Sequence, residues 1–236
     1  MSGSSALARP APPVTTITVP LFPLPRTVLF PDVRLPFYVF EPRYRQMLAD
    51  VLDGPGLLGV PQILPGFESD SKGTPPFTQI FGVGEIGDYT THDDGTSHIE
   101  VIGVHRVQLE EELPAGVYRT ARVTVLDESA PTDVDADQIR ERLSSAVRAL
   151  LPLAVPENSR QPLERFLAET PPPLPALVNT LSTVLVADAR LRQTLLEIDD
   201  IERRGRRLAS EIEELRRNLT ERADRAADEQ PPGQDP

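Results

Sequence analysis

The sequence predicts an α+β protein, a β-rich amino-terminal half followed by a helical carboxy-terminal half. From Thr15 to Asp127, short β-branched and aromatic runs alternate with Pro, Gly and Asp, the pattern of strands joined by tight turns. Beyond Asp127 the apolar residues recur at three- and four-residue spacing, the period of a helix that buries one face. The divisions that follow are a tail over 1–14, a β-rich subdomain over 15–130, a helical subdomain over 131–226 and a second tail over 227–236.

Residues 1–14 are rich in Ser, Ala and Pro and hold too little apolar surface to offset the entropy of ordering. Strands are expected at 16–21, 27–30, 34–40, 57–64, 78–89, 97–109 and 116–126. In 34–40, Leu35, Phe37 and Val39 share one face while Tyr38 and Phe40 share the other, so burial on both sides is expected. Pro36 marks a bulge or an edge position there, because it has no N–H to give a central ladder.

The segment 41–52 reads as a helix, with Pro42 near its first position, Tyr44, Met47, Leu48 and Val51 on one face, and Gly54 as its stop. Asp94-Gly95 lies between two strand-like runs and supplies the positive-φ chemistry of a hairpin turn.

In the second half, Ile139, Leu143, Val147 and Leu150 stripe a helix over 135–151. Shorter helices follow at 162–168, 175–186 and 191–197, with Pro171-Pro172-Pro173 forbidding continuity across it. The last helix runs from Asp199, with Glu202 completing a capping arrangement, to about Ala226. Ile198, Gly205, Ile212 and Leu219 interleave with Ile201, Leu208 and Leu215 as a coiled-coil-like seam whose one defect is Gly205. Packing of this seam within the chain is favoured over pairing with a second copy, so a monomer is expected rather than a homodimer through this helix.

Composition narrows the function classes. Thirty-six acids against 24 bases give a net charge of −12, a field that repels nucleic acid and anionic membranes. The absence of cysteine removes disulfides, thiolate metal sites and thiol nucleophiles. No apolar stretch approaches the roughly 18 residues needed to span a bilayer, and the amino terminus lacks a secretory core, so a cytoplasmic protein is expected. Lys72 is the only lysine and sits in a Gly/Pro-punctuated loop.

No motif supplies chemistry. Gly82-Val-Gly-Glu-Ile-Gly87 has the GxGxxG spacing but leads into a hairpin rather than a helix, so its glycines read as bulges or close backbone contacts. His92, His98 and His105 share one hairpin, yet seven residues separate the last two and set them on opposite faces of a regular strand, unless a bulge at Gly103 restores them to one side. Neither GxSxG nor a Walker sequence occurs, and no cofactor or metal is expected. The acidic runs at 110–112, 199–200 and 213–214 read as solvated faces and strand or helix ends. Arg203-Arg-Gly-Arg-Arg207 lacks interleaved aromatics and has Glu202 and Glu211 beside it, which favours salt bridging over nucleic-acid contact. The long loop from Pro65 to Phe77 holds Phe67 and Phe77, which tuck beneath it as a small cluster or, where exposed, contact an unfolded chain.

Three stretches carry a resemblance to a known family. The opening ITVPLFPLPRTVLFPDVRLPFYVFEPRYRQMLADVL, from Ile17 to Leu52, resembles the start of the Lon protease amino-terminal domain. Phe81-Gly-Val-Gly-Glu-Ile-Gly, then Asp94-Gly95, then Glu100-Val-Ile-Gly-Val-His-Arg-Val resembles that family's glycine-containing strand, hairpin turn and following strand. The stretch from Gln193 to Leu208 resembles its handover from a short helix to the long terminal one. His105 and Phe67, where the family more often has Trp, are departures, and without cysteine the related zinc-binding branch is excluded.

The resemblance implies a PUA-like β-barrel subdomain followed by a helical bundle ending in a long helix. It further implies a stand-alone substrate-binding module without ATPase or peptidase, hence no enzyme. Such a module is expected to recognise unfolded or exposed polypeptide as an adaptor or chaperone-like protein, with a protease as a further expected partner. The alternative it leaves is RNA or nucleotide-ligand binding, which other PUA-like barrels perform and which the acidic charge opposes.

Overall fold

The computed structural model describes residues 15–70, 73–114, 116–128, 133–168 and 172–228. Residues 1–14, residues 229–236 and Lys72 lie outside the described residues, and α6 takes in the first two positions of the expected second tail. Six strands, β1 (Thr16–Pro20), β2 (Arg34–Val39), β3 (Leu57–Val60), β4 (Ile80–Thr91), β5 (Ser97–Glu112) and β6 (Thr120–Leu126), form one sheet of order β1-β6-β5-β4-β3. The named strands pair antiparallel throughout, and β2 pairs with the first half of β5, opposite β4. The chain leaving β1 runs parallel to the end of β3 and beyond. Phe22 N–H donates to Gly59 O at 2.8 Å and Leu24 N–H to Pro61 O at 3.1 Å, which closes the sheet into a barrel.

Residues 27–30 are not the expected strand. They cross over the sheet rather than pairing along it, and glycines make the crossing possible. A Cβ on Gly82 would lie 2.0 Å from the Leu29 carbonyl oxygen, and one on Gly103 would lie 2.0 Å from that of Phe30. Two of the glycines that imitate a nucleotide motif, Gly82 and Gly84, therefore sit where neighbouring backbone or side chains leave no room for a Cβ. The crossing segment feeds both halves of the molecule, with Leu29 in the barrel core and Val28 and Phe30 in the helical core.

Helix α1 (Pro42–Asp53) caps one end of the barrel with Tyr44, Met47, Leu48 and Val51, as its spacing predicts. After β6 come α2 (Asp133–Ala154), α3 (Gln161–Ala168), α4 (Leu174–Leu185), α5 (Ala189–Glu197) and α6 (Ile201–Asp228). The cap of α6 is one residue later than expected. Asp200 Oδ1 accepts from Arg203 N–H at 2.9 Å, while Asp199 accepts only from Asp200 N–H.

The seam of α6 packs within the chain from Ile201 through Ile212, against α2 and α4. Gly205 is no defect in it. A Cβ there would meet Ile139 Cγ2 at 2.7 Å and Val178 Cγ2 at 3.2 Å, so the missing side chain is what lets three helices approach.

The two halves are joined by buried charge. Arg106 of β5 and Arg204 of α6 are both buried and share Glu128, which accepts from Arg204 Nη1 at 2.6 Å and lies 3.8 Å from Arg106 Nη1. Arg106 Nε donates to Leu196 O, and Arg204 donates to Ile198 O and Asn179 Oδ1. Burial, aided by Arg204 nearby, pulls Arg106 down to about 10. Among the described residues, no helix is long and apolar enough to cross a membrane.

Candidate functional site

The alternation in β2 divides its side chains between core and solvent. Val39 is buried, and Phe37 packs edge-on to Phe22 at 5.7 Å between centroids. The other face was expected to be covered as well, and it is not. Tyr38 is 47% exposed and Phe40 58%, the two rings stacked at 5.8 Å. Across the register Tyr38 faces His98 of β5, with ring centroids 4.8 Å apart. Tyr89 at the end of β4 is 52% exposed. Among the described residues no element packs on this face, toward which β5 turns His98 and Glu100, polar groups that suit water.

Pro36, Phe37, Tyr38, Asp88, Tyr89, Thr90, His98, Ile99 and Glu100 line one open concavity of about 400 Å³. Beside it β2 pairs on one side only among the described residues, so its outer edge is unpaired, with Pro36 in the edge position that its chemistry requires.

The hairpin between β4 and β5 holds the patch in place. Gly95 takes φ +78°, and Asp94 Oδ1 accepts from Thr96 N–H at 2.9 Å and from its hydroxyl at 2.7 Å. His92 N–H donates to Thr96 O, and the Arg45 guanidinium of α1 rests on Gly95, whose positive φ would strain any side chain. His92 Nε2 and His98 Nδ1 are hydrogen-bonded at 2.8 Å. His105 lies farther along β5, opposite Val83, and does not join them. Among the described residues, no three metal-ligating side chains converge.

The two phenylalanines of the loop separate. Phe67 is 48% exposed. Phe77 is only 5% exposed, edge-on to Phe81 at 6.0 Å with the Arg119 guanidinium 4.4 Å over its ring. Phe77 is thus corrected from contact candidate to core residue, held by Arg119, which also donates to Pro75 O at 2.7 Å.

The arginine run is largely engaged. Arg204 is the buried clamp, Arg206 pairs with Glu202 and Asp135, and Arg207 pairs with Glu211 at 2.5 Å. Burial of Arg204 was not visible from its neighbours in sequence. Tyr38 and Phe40 were misjudged as buried, although Pro36 beside them and the polar alternation His98, Glu100 on the partner strand signalled an open face.

A family model described as the ATP-dependent protease La (LON) substrate-binding domain matches residues 18–214. Among curated relatives, Lon protease of Parabacteroides distasonis is 27% identical over 198 residues, covering 81% of this chain and 23% of that protein. Lon protease 2 of Herpetosiphon aurantiacus is 26% identical, covering 83% and 23%. The chain therefore spans about a quarter of the length of the relatives it matches. Among solved structures, the N-terminal domain of Mycobacterium avium complex Lon protease superposes with a TM-score of 0.66 at 17% identity, over 83% of this chain and 98% of that one. The Lon N-terminal domain protein from Xanthomonas campestris gives 0.59 at 22% identity, over 82% and 98%. Sequence model and fold agree with the motifs from Ile17 onward, and the chain belongs to the Lon substrate-binding domain family.

Proposed function

We propose that this chain is a non-enzymatic module that binds unfolded or exposed polypeptide segments through the face formed by β2, the end of β4 and the start of β5. The observation that carries the proposal is the exposed, stacked aromatic pair of Tyr38 and Phe40 beside an unpaired strand edge. An extended client can add to such an edge through main-chain hydrogen bonds, which are indifferent to sequence, while its side chains bury against the rings. That division of labour suits a receptor for many clients. Ordering a flexible segment is costly, so single-site affinity is weak. Delivery to a protease or protection from aggregation are the two roles such binding serves, as adaptor or chaperone-like protein, and both need only this one surface.

The test is binding of a permanently unfolded model protein, followed by fluorescence anisotropy. Wild type binds, and Tyr38→Ser combined with Phe40→Ser weakens binding roughly ten-fold, the loss expected when central aromatic anchors are removed. Phe67→Ser, made separately, reports whether the loop adds a second contact. Absence of binding by wild type, or full binding by the double variant, overturns the assignment of this face.

A further inference from the structure

We infer that the β2 and hairpin surface selects client segments in which an arginine or lysine stands beside an apolar residue. This rests on the polypeptide-binding reading and adds the chemistry of the segment recognised. Two exposed rings, Tyr38 and Phe40, stand together on the outer face of β2, and a ring quadrupole attracts a cation placed within about 6 Å of its centroid. Two carboxylates line the same concavity as Tyr38 and Tyr89, those of Asp88 and Glu100. The Asp88 side chain is exposed and has no hydrogen-bond or ion-pair partner among the described residues. Glu100 is held by Arg34 at 2.6 Å, a pair exposed enough to exchange with an incoming guanidinium at little cost.

The Arg34–Glu100 pair also shows what the surface accommodates, a guanidinium lying along the β2–β5 row. An acidic segment meets two carboxylates instead, within the field of a chain carrying −12 overall. A neutral apolar segment gains contact with the rings but leaves Asp88 with no countercharge. Aromatic rings beside the uncompensated carboxylate of Asp88 and the exchangeable one of Glu100 thus favour a cation flanked by carbon over either alternative.

The experiment uses the full chain and three fluorescein-labelled unstructured peptides of equal length. One carries Phe and Leu spaced by Ser, one has Arg in place of those Ser residues, and one has Glu. The arginine peptide is expected to bind roughly five-fold tighter than the neutral one, and the glutamate peptide weakest. Asp88→Asn lowers the ratio of arginine-peptide to neutral-peptide affinity toward one, and about 1 M salt does the same. A substitution at exposed Asp88 spares the core, and Phe40→Leu gives a second check by keeping apolar contact while removing one π face. Equal binding of the three peptides, or an order unaffected by Asp88→Asn, overturns the cation preference alone. Binding of none of them overturns the polypeptide-binding reading with it.

Discussion

Phe67 and Phe77 stand on the same loop and look alike in sequence, yet the structure gives them opposite fates because Arg119, from a distant turn, covers Phe77. Replacing Phe77 by Ser should destabilise the fold by about 3–5 kcal/mol, whereas Phe67→Ser should stay within about 0.5 kcal/mol, as urea denaturation will show. A long-range partner such as Arg119 is illegible in one sequence, since nothing near Phe77 announces it. Tyr118, beside it, donates to Asp50 at 2.6 Å and ties the 116–119 turn to α1. That hydrogen bond to a carboxylate, with some burial, pushes the phenol up to about 12. Because the folded value exceeds the unfolded one near 10, the stabilisation is complete below pH 10 and disappears as pH rises through about 12. Ultraviolet tyrosinate titration should therefore show a late-ionising group that vanishes in Tyr118→Phe.

Among the elements, the periodic ones were legible and the irregular ones were not. Helices α1, α2 and α4 lie where their apolar spacing predicts, because each buries a stripe whose period is local information. The segment 27–30 shares the β-branched, aromatic composition of a strand, but its role depends on Gly82 and Gly103, far along the chain, leaving room for its carbonyls. The prediction belongs to the same elements. Gly103→Ala should lose several kcal/mol or fail to fold, since the obstacle is backbone rather than a mobile side chain, about the cost of the worst overpacked cores or more. At Gly205 the obstacles are methyl groups that can shift, so Gly205→Ala should cost about 1–3 kcal/mol of packing, partly offset by its better helix propensity. Thermal unfolding of the two variants should rank them in that order. The outer face of β2 was misread for a related reason. A strand of aromatic residues reads as buried until its partner is considered, and only the alternation His98, Glu100 on β5 tells that the face is wet.

Taken as one molecule, the barrel and the helices are locked by Glu128 between Arg106 and Arg204, so the halves should unfold together. Glu128→Gln leaves two buried guanidinium groups without their shared countercharge and should cost about 3 kcal/mol or more, detectable as a lower midpoint in denaturant. This rigid junction leaves the aromatic face at the far end of β5 as a fixed platform, with the free edge of β2 beside it. The family was legible early, from the motif beginning at Ile17. The proposed binding surface was not, because it is made by three strands whose pairing appears only once the barrel closes. The most direct measurement is amide hydrogen exchange of the protein with and without a saturating unfolded client. New protection is expected in 34–40, 88–90 and 97–100, with the β2 edge slowed most, whereas protection confined to α6 or to the loop around Phe67 would contradict binding at this face.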